Sequence, residues 1–343
     1  MMAVLLTGHG GFECLDVRDD VAVPAPAAGE VLVRVAAAGV NNTDINTRIG
    51  WYASESSASS SDPAIGWSGD VPAFPRIQGA DACGCVVAVG PGVASTRVGE
   101  RVVVEPVFHE PGRPAVYFGS EVDGAFAQYC VVPSQHAVQV ACDWTDVELA
   151  SIPCSYSAAE NMLGRARVGA ADTVVVTGAS GGVGSAAVQL AARRGARVIG
   201  VASPGKHDTV AALGAAVVLD RGAGLREELG SRSVDVVIDV VGGPGWPQLL
   251  TVLRPGGRYA TSGAIAGPLV ELDLRTLYLN DLTLFGCTVL DRSVFADLVG
   301  YIERHEIRPV IAEVFPLREI VAAQQSFLTK QHVGKIVLEV GTG

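Results

Sequence analysis

The sequence predicts an α/β protein in two parts, a β-rich domain resembling a barrel with glycine corners and a parallel-sheet domain of alternating strands and helices. Three observations carry this prediction. The first ~140 residues break into short β-branched runs separated by Gly and Pro. From residue 146 onward, apolar strand-like runs alternate with helical segments at the spacing of right-handed βαβ crossovers. The 343 residues are 49% hydrophobic and 18% charged, with 41 glycines, enough apolar chain for a large core and too little charge for a disordered one.

The elements follow in order. "MMAVLLTGHGGFECLDV" lacks the basic start of a secretory signal and reads as a first strand and hairpin. "EVLVRVAAAGV" (30–40) alternates and then runs apolar, and "CVVAVGPGV", "VGERVVVEP" and "GAFAQYCVVP" are further short strands. Residues 54–70 are Ser-rich, break every periodicity and read as a mobile surface loop. "DVELASIPCSYSAAENMLGRA" reads as helical, with its apolar spacing broken at Pro153. "TVVVTG", "RVIGVAS", "AVVLD", "VDVVIDVVG", "GGRYATSGA" and "LTLFGCTVL" are strands, with helices at "GGVGSAAVQLAARRG" and "KHDTVAALG". A helix over 294–304 and a final strand in "HVGKIVLEV", returning to the first domain, complete the chain.

Charge and cysteine usage exclude several classes. A formal net charge of -11 argues against a nucleic-acid-binding face. The seven cysteines are scattered without a Cys-x-x-Cys, which reads as reduced thiols in a cytoplasmic protein. The one long uncharged run, 173–192, is interrupted by Gly178, Gly181, Gly182 and Gly184, so it reads as strand, turn and helix rather than a membrane span.

That run holds the strongest motif, "VVVTGASGGVGSAAVQL". A strand ends, glycines turn the chain, and a helix opens, whose free N–H groups and partial positive charge suit a pyrophosphate. Ala179-x-Gly181-x-x-Gly184 is a variant of the dinucleotide fingerprint. Gly181 would let the backbone approach the phosphates, with Gly182 and Val183 beside it, and Gly184 would allow close helix–strand packing. Nineteen residues after Gly184 stands Ser203, where NAD-binding chains carry an acidic residue, and Lys206 follows, with Arg221 after the third strand. A missing carboxylate and an available cation point to NADP(H).

The loop "GVNNTDINTRIGWY" (39–52), with "GEVLVRVAAAGVN", "VGERV", "GAFAQY", "VTGASGGVG" and "HVGKIVLEV", resembles the medium-chain dehydrogenase/reductase superfamily over nearly the whole chain. The resemblance implies a GroES-like, β-barrel-type catalytic domain built from both chain ends (1–140 and 291–343), a Rossmann domain over 141–290, and an active site in the cleft between them. The catalytic zinc ligands of the alcohol dehydrogenases would fall at Asn41, near Ala80 and at Cys154. An amide, a segment without histidine and one thiol are too few ligands, so no metal is expected. Cys154 reads as a buried thiol beside the nicotinamide. The chain thus resembles the zinc-free quinone oxidoreductase branch, and around Tyr52 the 2-enoyl thioester reductases, in which the matching tyrosine is the proposed proton donor. More loosely, the resemblance implies cofactor contacts at Val241, Gly263, Ala264 and Lys335, and a homodimer through the strand at 282–290.

Without a Lewis acid, a conjugated C=C–C=O or a quinone is the substrate such a site can reduce, because a few oriented donors hold the enolate that hydride addition creates. Tyr52 is expected to supply the proton or hydrogen-bond the carbonyl, or else to be an aromatic lid beside Trp51. Asn41 either positions the nicotinamide ribose or a water, or caps the following helix. Asp44 is expected to orient the loop. Ser157 stands in for a threonine that the family often carries where this chain has Ala158. The expected activity is NADPH-dependent reduction of enones, enals, enoyl compounds or quinones. The alternatives are an NADP-dependent carbonyl/alcohol dehydrogenase, or a non-enzymatic NADPH-binding protein.

Overall fold

A computed structural model describes residues 1–52, 73–109 and 114–341. The Ser-rich segment 54–70 lies outside the described residues. The chain divides into two units, Met1–Cys154 with Pro309–Gly343, and Ser155–Arg308. Both boundaries fall later than the sequence suggested, by 14 residues (154 against 140) and by 18 (308 against 290). Side-chain pairing explains each shift. The helix Asp146–Ala150 is tied to the first unit, where Asp146 pairs with Arg101 at 2.7 Å. The helix Val294–Glu303 is tied to the second, where Tyr301 donates to Glu160 (3.3 Å) and nearby Glu306 pairs with Arg193.

In the first unit the strand Glu30–Gly39 is the organiser. One edge pairs antiparallel with Cys83–Val89; the other pairs first with Tyr129–Pro133 and then, at Ala37–Gly39, with the tail strand Lys335–Glu339. The tail strand also lies parallel to Ile311–Pro316, so the chain end does return to the first unit. Alternation along Glu30–Gly39 leaves Arg34 exposed and sends Val31, Val33 and Val35 into a core with Val86, Val104, Phe118, Phe126, Ile336 and Leu338. Gly84 is required where Cys83–Val89 crosses this strand, because a Cβ there would overlap the Arg34 carbonyl. The N-terminal run forms the hairpin of Ala3–Leu6 and Leu15–Arg18.

The second unit is a six-stranded, fully parallel sheet in the order Val217–Asp220, Arg197–Ala202, Thr173–Val176, Val234–Asp239, Leu253–Thr261, Thr283–Gly286. This is the doubly wound order, with the sequence-first strand central. The β-branched runs are buried on both faces, as parallel strands require. Residues 282–290 were expected as one strand, but the paired strand is only Thr283–Gly286; the Cys287 N–H makes a last bond to Thr261 O (2.8 Å), where the neighbouring strand itself ends. Pro153 does not interrupt a helix. It opens the second of two, Pro153–Arg165, at the first-turn position where proline loses no hydrogen bond. Among the described residues no helix is long and apolar enough to cross a membrane.

Candidate active site

The loop 39–52 is built around a short helix, Asn42–Ile49, capped by Asn41 in extended backbone and ended by Gly50 in the left-handed region. Asp44 accepts the Asn41 backbone N–H at 2.8 Å, the reciprocal half of a capping box. Asn41 therefore does cap this helix. Its amide is also buried and bonded at both ends: Nδ2 donates to Asp81 Oδ2 (2.8 Å), and Oδ1 accepts from Lys335 Nζ (2.5 Å). Lys335 reaches Asp81 Oδ2 as well, at 2.9 Å. Asp81 Oδ1 accepts the Cys154 backbone N–H at 2.5 Å. Lys335 is 3% exposed and Asp81 0%, so the ion pair is fully inside the first unit. Lys335 was expected to reach a pyrophosphate; in the structure the tail strand carries its ammonium beneath Asn41, where it bonds Asn41 and Asp81.

Tyr52 is half-buried, and its hydroxyl donates to Thr43 Oγ1 at 3.2 Å, in the first turn of the same helix. Burial raises its pKa above the usual phenol value, so the hydroxyl stays protonated at neutral pH. Trp51 packs edge-on against it, with ring centroids 5.5 Å apart. A second phenol, Tyr117, lies 3.7 Å from Cys154 Sγ, and its pKa is also raised by burial, with Cys154 and Tyr52 adding to the effect. Nothing in the sequence pattern marked Tyr117, which arrives on a two-residue strand far along the chain. Burial pushes the Cys154 thiol up to about 12, so it is neutral and a poor nucleophile. Asp44 is raised to about 7 by burial, with Asp81 adding and the N–H groups of Asn41 and Gly79 opposing.

These groups do not fit a zinc ion. Asn41 offers an amide already bonded to an ammonium, Asp81 is paired with the same ammonium, Ala80 has no donor, and among the described residues no cluster of three or more His, Cys, Asp or Glu side chains is placed to hold a metal.

In the second unit the carboxyl ends of the strands gather the dinucleotide candidates. Gly178, with φ +57, turns the chain after Thr173–Val176, and Gly181 caps the helix Gly182–Arg193, which places Gly182 and Val183 in its first turn. A Cβ at Gly184 would overlap the Gly178 carbonyl and approach Ala179 Cα at 2.9 Å, so that glycine serves packing within the chain. A Cβ at Gly181 would meet only the Gly178 oxygen at 3.5 Å, an ordinary contact. The protein itself does not need glycine there, so the open space fits a ligand. Ala179 is anchored by its N–H to Val201 O (3.0 Å). Ser203 and Arg221 follow the register partners Ala202 and Asp220 on adjacent strands, and Arg221 N–H bonds Ala202 O at 2.9 Å. Lys206 is close enough to Arg221 that, after burial, Arg221's charge lowers its pKa. Val241 packs near Gly178; Ala266 N–H bonds Val241 O (2.8 Å), which brings Gly263 and Ala264 alongside. The buried Ser157 hydroxyl has no hydrogen-bond partner among the described residues. Asp239, missed in the sequence, holds this rim: it accepts from Thr177 (2.5 Å), Tyr259 (2.6 Å) and the Val241 N–H (2.9 Å). Its only signal was a charge at the end of an otherwise apolar strand that carries one other carboxylate, Asp235.

Comparisons with known proteins agree with this architecture. The model of the alcohol dehydrogenase GroES-like domain matches residues 27–142, and that of the zinc-binding dehydrogenases matches 182–304. Acryloyl-coenzyme A reductase of Metallosphaera sedula is 30% identical over 98% of this chain and 99% of its own length. Quinone oxidoreductase of Rattus norvegicus is 26% identical over 98% and 97%. Among solved structures, a chain from Sinorhizobium meliloti 1021 is 49% identical with a TM-score of 0.94, covering 99% of this chain and 96% of its own. A thermostable alcohol dehydrogenase from Pyrobaculum aerophilum is 30% identical with a TM-score of 0.86, covering 99% of each.

Proposed function

The chain is an oxidoreductase of the medium-chain dehydrogenase/reductase superfamily, on its quinone oxidoreductase-like branch, and from that membership we propose that it reduces activated C=C bonds or quinones with NADPH and without a metal. Members of the superfamily bind a nicotinamide dinucleotide. The observation that carries the reading is the Lys335 ammonium seated on Asn41 and Asp81, where zinc-dependent relatives would place ligands. With no Lewis acid, the site relies on neutral hydrogen-bond donors, and two protonated phenols, Tyr52 and Tyr117, supply them.

Bound NADPH supplies the hydride. Tyr52 hydrogen-bonds the oxygen on which enolate charge develops and delivers or relays the proton to the α-carbon, while Thr43 holds its hydroxyl in place. Asn41, its amide fixed at both ends, and Asp44 set the entry of the helix that carries Thr43. On the cofactor side, Lys206 and Arg221 place two positive charges beside Ser203, and no acidic residue stands at that position to repel a 2'-phosphate. A second reading, reduction of simple carbonyls, draws on the likeness to the Pyrobaculum alcohol dehydrogenase.

The test is cofactor oxidation by metal-stripped protein across quinones, enones, enals and simple ketones, with NADPH and NADH in parallel. We expect activity on conjugated acceptors with NADPH preferred, and a preference that collapses when Lys206→Ala and Arg221→Ala are combined. Tyr52→Phe should lower kcat by roughly 10²- to 10⁴-fold. Activity restricted to simple ketones would favour the second reading; activity appearing only with added zinc would overturn the first.

We also propose a homodimer through the sheet edge. Thr283–Gly286 is the terminal strand of its sheet, and nearby Leu269, Leu274, Tyr278 and Leu279 are each more than 60% exposed. An open strand edge beside exposed apolar side chains is satisfied by a twofold mate.

A further inference from the structure

We infer that Lys335 and Asp81 are positioning residues for Tyr52: the Lys335 ammonium is an internal cation that holds the loop 39–52. The inference rests on the reading of Tyr52 given above.

The physical chain is continuous. Lys335 Nζ lies 2.5 Å from Asn41 Oδ1 and 2.9 Å from Asp81 Oδ2. Asn41 Nδ2 closes the triangle by donating to Asp81 at 2.8 Å, which fixes the amide's orientation. Asp81's other oxygen takes the Cys154 N–H, so the ion pair joins the tail strand, the segment around Asp81, the first residues of Pro153–Arg165 and the cap of Asn42–Ile49. Asn41 is that cap, and Thr43, two residues on, holds the Tyr52 hydroxyl. A shift of the cap therefore moves Thr43, and with it the phenol. A buried ion pair is a costly way to stabilise a fold but a strong way to fix one geometry, since each charge has a single low-energy partner.

The test uses the full-length protein. Because Lys335→Met alone leaves a buried carboxylate unpaired and can unfold the chain, the working variant combines it with Asp81→Asn, which removes both charges. Three quantities are read: NADPH Kd by fluorescence titration, kcat and KM on a conjugated acceptor, and hydrogen exchange in peptides covering 39–52. We expect Kd within about twofold of wild type, kcat lowered ~10- to 100-fold, as a small misplacement of a reacting group produces, and faster exchange in 39–52. The decisive arm repeats the pair in a Tyr52→Phe background, where the kcat loss should largely vanish because the phenol it acts through is gone. A Kd raised tenfold or more with kcat retained would make Lys335 a cofactor ligand and overturn the inference. So would an undiminished kcat loss in the Tyr52→Phe background, or unchanged exchange. Wild-type protein silent on every conjugated acceptor would instead sink the functional reading, while exchange would still report whether the ion pair holds the loop.

Discussion

Asp44 gives the most quantitative prediction. Its side chain is 2% exposed, and burial raises its pKa from 3.8 to about 7. The sign follows from proton counting. Between these two values the folded protein keeps a proton that the unfolded chain has released, so stability falls as pH rises. The contribution is fully present below about pH 4, declines up to about pH 7, and is flat above. Each tenfold change in proton affinity is worth about 1.4 kcal/mol, so the whole change is bounded at about 4 kcal/mol, and relaxation around a buried charge brings it nearer ~2. Asp44→Asn nearly preserves shape, retains an acceptor for the Asn41 N–H, and does not titrate. The assay is urea unfolding of wild type and variant at several pH values from 4.5 to 8.5. Wild-type stability relative to Asp44→Asn should fall by about 2–3 kcal/mol between pH 4.5 and 7.5. A difference independent of pH, or one that grows in favour of wild type as pH rises, would refute the reasoning. It would mean that Lys335 and the two N–H groups keep Asp44 ionised in the folded state.

Two further predictions separate roles that look alike in sequence. Gly184→Ala forces a methyl group into the Gly178 carbonyl and should cost ~1–3 kcal/mol of stability in thermal or urea unfolding, whereas Gly181→Ala, at φ -78 with open space, should leave stability within ~0.5 kcal/mol yet weaken NADPH binding at least tenfold. Equal destabilisation by both would remove the case for a ligand at Gly181. Leu269→Lys combined with Leu279→Lys, both at highly exposed positions, should convert a dimer into a monomer in sedimentation velocity without changing thermal stability of the chain; a wild type that already sediments as a monomer would rule out the edge interface.

The resemblance and the local pattern together made much of the site legible. The dinucleotide turn was readable because strand, glycines and helix are contiguous, so one short stretch carries its own geometry. The doubly wound sheet was readable because its buried strands are continuous β-branched runs. The strand near 282–290 was read too long, since apolar composition does not say where pairing with a neighbour ends. The domain limits were misplaced for a similar reason: Asp146 and Tyr301 choose their units through Arg101 and Glu160, partners far away in the chain.

What the sequence by itself determined is therefore what neighbouring residues impose on one another: the βαβ alternation, the glycine turn at 178–184, and the missing carboxylate at Ser203. What only the tertiary structure decided is which distant groups meet. Lys335 and Asn41 stand 294 positions apart and are brought together because the last strand pairs with Glu30–Gly39. Tyr117 comes beside Cys154 in the same way. Periodicity reports which face of an element is buried; it carries no record of the partner waiting there, and a buried ammonium, amide and carboxylate acquire their chemistry only from that partner.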